Sequence, residues 1–520
     1  MGWLKNAIFK IFKIQPATER QIVIKEPLTF HGNVLKNKVW YRGDPAELEQ
    51  YFKQIANFDA FKTRFWASVP YRKVRKIHSG IVGIAIDRLK DIMLSDLSDI
   101  SFGEEGEATP LKDLWGQIAE DNRLNDLLGE AITGSLSSGD GAFKISLDEV
   151  SQYPVIEYYE ADQVEFVNKR GRLQEILFYT KYPYPENGEK CYCLKETYGK
   201  GFVRYQLLDD SGKEVEGGVK ALTETAMLED TEFDGDYIMG VPLIFLKSNK
   251  WKGRGKALFD GKTDDLDALD EVISQWLDAV RKGRVNRYIP EDMLPRDPAT
   301  GMPLEPNEFD NDYIAMGIST KEAATPRIEV VQPEIRYEAY LNSYISFMDL
   351  VLQGIISPAT LGIDLKKTDN AESQREKEKI TMHTRSSLID VMAVVIAELA
   401  AKVMMTYDLM NGQLPGDYEV SVKFGEYAAP DFDTVVETVG KAKGYGVMST
   451  EKAVEELYGD TLTDDEKAEE VARIKNEQGI VDLEEPAVNL EGVKIDEGQD
   501  NESDIPDGAD RVQENPSDGK

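Results

Sequence analysis

Cysteine and histidine are scarce in this sequence, which limits the chemistry that it can support. Its 520 residues include two cysteines and three histidines. Cys191 and Cys193 are two apart on a predicted strand, where their Cα atoms would be about 6–7 Å apart, so a disulfide between them would be strained. With no further cysteine and the histidines far away in sequence, neither a zinc site nor a disulfide framework is predicted, and a reducing compartment fits.

A long uncharged apolar run is also missing. The most apolar stretch, Leu388–Met405, contains Asp390, Glu398 and Lys402, so it predicts a core helix and no stable membrane insertion. Residues 1–14 form a small basic amphipathic segment in which lysines interrupt the apolar residues, which argues against a signal peptide. Membrane contact and docking on a neighbouring subunit or shell protein remain as alternatives for this segment.

A nucleotide-binding signature is incomplete. The tripeptide Gly261–Thr263 ends like a phosphate-binding loop, but the glycine that this motif needs at position 256 is Lys256, and Gly255 is one residue too early. Four aspartates between residues 264 and 270 stand in the first turns of a predicted helix, where acids are favoured by the helix dipole, and the glycine and closing glutamate of a calcium loop are absent. We therefore assign no catalytic residue, metal or cofactor.

Positive charge is scarce outside the first 90 residues. Residues 1–90 hold 17 Lys and Arg against 7 Asp and Glu, a net charge of +10, so residues 91–520 sum to −44 and the whole chain to −34. Such acidity argues against a protein that grips nucleic acid over its whole surface. It is compatible with DNA that slides past without sticking, and equally with an ordinary solvated surface. Residues 477–520 have 14 acids against three bases and few large apolar residues, so disorder is predicted there.

The first half of the chain predicts a mixed α+β domain. Helices are predicted at His78–Met93 and Leu111–Ser135, and strands rich in β-branched and aromatic residues follow between Gly139 and Asp236, with hairpin turns at 169–171 and 211–212. The segment Phe58–Lys76 interleaves aromatic and basic side chains. It suits a nucleic-acid surface, or else a core whose cations pair with the acidic remainder.

The middle of the chain predicts two helices around an insert. Apolar residues from Leu266 to Val280 recur at alternating steps of three and four, which indicates a helix seam that needs a partner; the seam comprises Leu266, Leu269, Ile273, Trp276 and Val280. Seven prolines then punctuate an insert of strands and turns. The second helix, Glu334–Ile356, carries apolar residues on more than one face, so we expect it to be buried on several sides.

The last third predicts a loop, a very long helix and a helical end. Ser357-Pro358 and Gly362 indicate a loop, and Asp369 with Glu372 resembles a capping box. The helix that follows, Ala371 to about Leu409, passes from a charged first third into an apolar second part. A strand at 418–428 and three short helices follow, at Phe432–Gly440, Thr450–Tyr458 and Thr463–Asn476, the last two with Thr450 and Thr463 as caps.

This order of elements resembles the portal proteins of tailed bacteriophages, in particular those of siphoviruses of Gram-positive hosts. The segments NKVWYRGDPAELEQYFK (Asn37–Lys53) and NAESQREKEKI (Asn370–Ile380) are similar to sequences of that family. The resemblance covers Asn33–Asn476. It implies a portal-like α+β subunit with a mixed wing, a two-helix stem, a small β/α clip, a long kinked helix and a helical crown. The implied divisions are 1–258 wing, 259–285 first stem helix, 286–332 clip, 333–356 second stem helix, 357–370 tunnel loop, 371–443 long helix and returning wing strand, 444–476 crown and 477–520 acidic tail.

The resemblance also implies a function without catalysis. A portal is a homo-oligomeric ring, usually of twelve subunits, at one vertex of the virion, assembled in the host bacterial cytoplasm. It passes double-stranded DNA during packaging and ejection, and it contacts the major capsid and scaffold proteins, the large subunit of the terminase and the adaptor or tail proteins. The seam residues would form the subunit interface. The residues expected to line the DNA channel are Asp364, Lys366 and Lys367 in the tunnel loop and Arg281, Lys282, Arg284 and Arg287 in a basic collar.

Two other classes of protein remain as alternatives. One is a minor head or scaffold-like interaction protein without a channel. The other is a nucleotide-dependent DNA motor, which the incomplete phosphate loop disfavours. For the collar and the loop lysines, simple pairing with nearby acids is the alternative to a DNA contact.

Overall fold

A computed structural model describes residues 28–55, 65–66, 74–103, 109–148, 151–183, 191–283, 286–290, 294, 296–302, 314–316, 329–332, 334–363, 371–425, 432–458 and 464–477. The chain divides into two compact units, residues 1–427 and 428–520. The first is a mixture of helices and sheets, so the expected α+β class is confirmed. The acidic tail, and the amphipathic segment at residues 1–14, lie outside the described residues.

Three helices come first in the described part of the first unit: α1 (Phe30–Arg42), α2 (Pro45–Ile55) and α3 (Ile81–Asp96). The Thr29 hydroxyl caps α1 by accepting the Gly32 amide at 3.2 Å. The helix ends at Gly43, whose φ of 64° lies in the left-handed region that glycine adopts without strain. The α3 helix begins three residues later than predicted, because Gly80 provides the left-handed entry.

The helical segment predicted at Leu111–Ser135 is divided into two helices. They are α4 (Thr109–Asp121) and α5 (Leu124–Ser138). Arg123, with φ of 49°, breaks them apart. The Asn122 side chain fixes this break by donating to the Pro154 carbonyl at 3.0 Å and accepting the Ile156 amide at 2.8 Å.

Two antiparallel sheets follow α5. The first contains β2 (Gly141–Ser146), β3 (Val155–Glu160) and β9 (Gly240–Leu243) in the order β3-β2-β9. The second runs in chain order through β4 (Val164–Lys169), β5 (Arg172–Pro183), β6 (Cys191–Gly199), β7 (Phe202–Leu208) and β8 (Thr231–Glu232). The predicted turn between β4 and β5 is confirmed: Arg170 and Gly171 both have positive φ, as a type I′ turn requires. Both cysteine thiols on β6 are free.

A buried ion-pair network joins the two sheets. The Lys144 ammonium on β2 lies 3.2 Å from the Glu196 carboxylate on β6 and 2.8 Å from Glu157 on β3, and it donates to the Tyr159 hydroxyl at 2.9 Å. Burial opposes the charge of Lys144, but Glu196 and Glu157 more than offset it, so the pKa of this lysine is raised. Lys144 therefore stays charged and holds the two sheets together through its ion pair with Glu196.

The predicted helix–insert–helix is present with shorter helices. They are α6 (Thr263–Lys282) and α7 (Tyr337–Leu352). The insert contains a small three-stranded sheet of β10 (Asn286–Pro290), β11 (Ile314–Met316) and β12 (Glu329–Val331), with β10 in the centre, parallel to β11 and antiparallel to β12.

A helix of 40 residues, α8 (Ala371–Met410), crosses the first unit without interruption. Its second half supplies a row of core residues, among them Leu388, Leu399 and Val403, each at most 1% exposed, so the predicted passage into a core is confirmed. The chain returns through β13 (Val420–Phe424), which pairs antiparallel with β1 (Leu97–Phe102). Arg385 ties these parts together: it donates to Asp96 at 2.6 Å and to the Gly425 carbonyl at 2.5 Å.

Within its described residues, 432–458 and 464–477, the second unit contains three helices close to the predicted positions: α9 (Phe432–Gly444), α10 (Thr450–Tyr458) and α11 (Asp464–Glu477). The predicted cap of α10 is wrong by one residue, because the Ser449 hydroxyl, not that of Thr450, accepts the Lys452 amide. Glu451 and Lys475 link α10 to α11 at 2.7 Å, and the bond from Lys475 lowers the pKa of Glu451 to about 2. This pair therefore stabilises the unit above the ordinary pKa of a glutamate, and it loses that effect as the pH falls toward 2.

Candidate functional site: the paired helices α6 and α7

Helices α6 and α7 form an antiparallel pair centred on Trp276. The indole of Trp276 stacks on Tyr340 with ring centres 6.4 Å apart and planes at 7°, and it lies 6.5 Å from Tyr344. At one end of the pair the Lys262 ammonium donates to the Leu350 carbonyl at 2.5 Å. At the other end Gly283 packs so closely on Ile335 that a Cβ atom there would be 2.4 Å from the isoleucine Cγ1. Contacts that run 262 with 350 and 283 with 335 fix the antiparallel direction.

The five seam residues are not equally covered by their own chain. Leu266 and Leu269 are 2% and 0% exposed and belong to the main core, and Ile273 and Trp276 are half-buried. Val280, at the far end, is 44% exposed. Only the second half of the seam, from Ile273 onward, therefore offers surface to a neighbour, and the subunit-interface role of the seam stays a prediction.

Helix α7 is more exposed than the sequence indicates. Met348, Val351 and Leu352 are buried, but Tyr337 is 60% exposed and Leu341 is 38% exposed. The expectation that this helix is buried on several sides is thus wrong for the chain by itself. The helix carries apolar side chains that its own chain leaves uncovered. Tyr337 and Leu341, together with Val280, form what we call the open face of the pair.

Two of the aspartates near the start of α6 accept hydrogen bonds from backbone amides that are distant in sequence. Asp267 accepts the Trp66 amide at 2.5 Å, and Asp270 accepts the Ser79 amide at 2.8 Å and lies 2.7 Å from Nδ1 of His78. Among the described residues no group of three or more His, Cys, Asp or Glu side chains could hold a metal ion. Sequence reasoning missed these contacts, although the polar residues 267, 270 and 274 recur at helical spacing.

The incomplete phosphate loop also has a structural use. The Gly255 amide donates to the buried Asp140 carboxylate at 2.6 Å. A Cβ atom at Gly255 would lie 2.0 Å from the Gly139 carbonyl, which explains why glycine stands there. Lys262 is held by its bond to Leu350 and by Asp265 at 3.5 Å.

The basic collar is described only in part. Lys282 pairs with Asp278 one turn earlier at 2.6 Å, and Arg281 also has an interaction partner within the chain. Arg287 lies on β10, where its backbone pairs with Val330, and Arg284 lies outside the described residues. Pairing of Lys282 within α6 agrees with the structural alternative at that position, and the DNA contact of the collar stays a prediction.

The tunnel-loop segment is fixed where it leaves α7. The Thr381 hydroxyl on α8 accepts the Ser357 amide at 2.9 Å and lies 2.9 Å from the Thr360 hydroxyl. Ser357 and Thr381 are 1% and 0% exposed. Gly362 has a φ of 72° and ends this short turn as predicted. Asp364, Lys366, Lys367 and Asp369, the predicted cap of α8, lie outside the described residues.

Replacing Thr381 with Val should lower the free energy of unfolding by about 1–3 kcal/mol, because the buried Ser357 amide loses its acceptor while the volume of the side chain is kept. Urea denaturation of the full chain measures this difference. Thr231→Val is the matched control, since its hydroxyl bonds to the Glu229 carbonyl at an exposed position, and a change within about 0.5 kcal/mol is expected there. Equal effects of the two substitutions would contradict the buried role of Thr381.

Phe65, in the described part of the aromatic and basic segment, belongs to the core. Phe65 is 5% exposed and its ring centre lies 5.2 Å from that of Phe52. The Lys76 ammonium lies 5.8 Å from the centre of the Trp66 ring. These positions favour the core alternative over a nucleic-acid surface for the residues that the structure includes.

No helix within the described ranges is both long enough and apolar enough to span a membrane.

Comparison with known proteins gives distant structural similarity only. No family model and no curated protein matches the chain. Among solved structures, the fold is similar to a chain in the neck of an empty gene transfer agent particle computed with C6 symmetry, with 13% identity, a TM-score of 0.38, and coverage of 75% of this chain and 89% of that one. A chain in the virion of a native gene transfer agent particle is similar with a TM-score of 0.35, at the same identity and coverage.

Proposed function

We propose that this chain is the subunit of a portal, a ring-shaped head–tail connector through which double-stranded DNA is packaged, retained and ejected. The ring would stand at one vertex of a virion. It would contact the capsid and scaffold proteins during assembly, the terminase motor during packaging, and the adaptor or tail proteins afterwards. In this proposal the chain carries out no catalysis, because the motor is a separate protein.

The observation that carries the proposal is the open face of α6 and α7. Val280, Tyr337 and Leu341 leave apolar surface without cover at the end of the pair that leads into the small sheet. An isolated protein gains nothing from such exposure, whereas a contact between subunits would bury it. A head-to-tail contact repeated around an axis closes into a ring, and the antiparallel pair then surrounds a central channel.

Two further features agree with this function. The net charge of −34 suits a channel that DNA passes without sticking. The 40-residue helix α8 begins directly after the loop that would line the channel and ends in the core. It would therefore connect the channel wall rigidly to the outer part of the subunit.

Negative-stain electron microscopy of the purified full chain tests the proposal. Rings with a central hole are expected. A monomer that turns over nucleotide would overturn it in favour of a DNA motor. Closed assemblies without a hole would favour a minor head or scaffold-like protein.

Reversing both tunnel-loop lysines, Lys366→Glu with Lys367→Glu, should leave ring assembly intact but reduce the length of DNA packaged or retained. The reason is that phosphate contacts by these lysines would be weak, transient and sensitive to salt, so the defect should change with ionic strength. Packaged DNA is measured by its length in purified particles. Lys366→Gln with Lys367→Gln is the matched control for charge removal without reversal, and an intermediate defect is expected. Full-length packaging by the reversed variant would leave the lysines a pairing role only.

A further inference from the structure

One face of α6 carries a buried polar stripe that its apolar seam does not explain. Asp267, Asp270 and Ser274 are 6%, 1% and 0% exposed. Their spacing of three and four residues places them on one face over about 10 Å of helix. Burying two carboxylates and a hydroxyl costs free energy unless each is hydrogen-bonded. The stripe must therefore be paired.

Its partners are the backbone amides of Trp66, Ile77 and Ser79 and the imidazole of His78. Asp270 Oδ1 accepts the Ser79 amide at 2.8 Å, and Oδ2 lies 2.7 Å from Nδ1 of His78. The Ser274 hydroxyl accepts the Ile77 amide at 2.9 Å and donates to the Asp270 carbonyl at 2.7 Å. Together with the Asp267–Trp66 bond, these contacts connect α6 to a segment almost two hundred residues earlier in the chain.

That segment leads directly into α3. Gly80 follows Ser79, and α3 starts at Ile81, which is 3% exposed. The helix is then buried along Ala85 and Leu89 and packs against α5 and α8. Residues 77–79 are thus a short bridge between α6 and the helical core.

We propose that the polar stripe of α6 is a mechanical link that transmits movement of the paired helices to α3. Any axial shift or rotation of α6 would leave the Ile77 and Ser79 amides without acceptors in a buried place. Since such amides are costly to leave unpaired, the bridge and the first turns of α3 would move with α6 instead. The link is argued from contacts within one chain and does not depend on the proposed function.

Hydrogen exchange of the full chain, resolved to peptides of the bridge and of α3, tests the local contacts. Ser274→Ala should accelerate exchange of the Ile77 amide by about tenfold, because a buried hydrogen bond is removed, and Ser274→Thr should restore protection. Ser346→Ala is the matched control: this exposed serine on α7 donates to the Asn342 carbonyl of its own helix at 2.8 Å. No change at Ile77 is expected for the control.

Transmission is tested by a second perturbation of α6, at Trp276, which faces α7. Trp276→Ala removes the stack on Tyr340, and it should accelerate exchange both at the bridge and at Ile84–Ile86 in α3. In the Ser274→Ala background the same substitution should affect α3 less, because the Ile77 contact is gone while the contacts of Asp270 with Ser79 and His78 remain. An effect on α3 that is unchanged in that background, or none in either, would overturn the link. Should Trp276→Ala fail to fold, Tyr340→Ala disturbs the same stack from α7 and distinguishes the same outcomes.

Discussion

Replacing Arg254 with Met should lower the free energy of unfolding of the first unit by about 3–5 kcal/mol, since it leaves the fully buried Asp140 carboxylate without its counter-charge. Asp140 is 0% exposed and follows directly after α5. The guanidinium donates to both of its oxygens, from Nη2 at 2.7 Å and from Nε at 2.9 Å. A bidentate pair of this kind is both directional and strong.

Arg254 makes several other contacts. It donates to the carbonyls of Ala161 at 2.6 Å and Val164 at 3.1 Å, which hold the connection between β3 and β4. Its guanidinium lies 3.9 Å from the centre of the Phe30 ring at the start of α1. One side chain thus joins α1, the end of α5 and the two sheets, so a methionine of similar length would keep the packing but none of the hydrogen bonds.

Arg204→Met provides the matched control. Arg204 lies over the Phe202 ring at 4.7 Å, so it shares the cation–π contact, but it is exposed. Its replacement should change the free energy of unfolding by less than about 1 kcal/mol. Thermal and urea denaturation, followed by circular dichroism, compare the two variants. A loss below about 1 kcal/mol for Arg254→Met as well would contradict the role of the buried pair.

Much of the secondary structure could be predicted because its signals are local. The apolar periodicity of Leu266–Val280, the type I′ turn at Arg170-Gly171 and the composition of Leu388–Met405 each determine structure within about 20 residues. The break at Arg123 could not be found in this way. It depends on Asn122 bonding to Pro154 and Ile156, which the fold brings there from more than 30 residues away.

In the candidate site, too, the local features could be predicted and the long-range contacts could not. The sequence indicated which residues of α6 and α7 are apolar, but not which of them the chain covers itself. Leu266 and Leu269 enter the core because α6 begins beside it, whereas Val280 and Tyr337 extend beyond it. From the sequence, the helix dipole alone explains the aspartates of the polar stripe. Their hydrogen-bond partners could not be predicted, because these lie nearly 200 positions away. The helical spacing of residues 267, 270 and 274 shows that these polar residues share a face, but it does not show which residues pair with them.

Placing a carboxylate on each helix of the open face, Val280→Glu with Leu341→Glu, should abolish oligomeric rings while leaving the single chain folded. Both positions are exposed in the chain by itself, at 44% and 38%, so the free energy of unfolding of the monomer should change by no more than about 0.5 kcal/mol for each substitution. In a ring, every interface would have to bury these added charges. Uncompensated burial of a charge costs several kcal/mol per ion, and the cost is repeated at each interface.

The matched control is Met227→Glu with Leu414→Glu, which adds the same charge at apolar side chains that are 82% and 75% exposed and belong to segments other than α6 and α7. Size-exclusion chromatography with light scattering measures the mass of each variant, and circular dichroism checks the fold. The open-face variant should elute as a folded monomer, whereas the control should match the wild-type assembly. Rings of unchanged mass from Val280→Glu with Leu341→Glu would show that subunits meet elsewhere, and the portal proposal would then lose the observation that carries it.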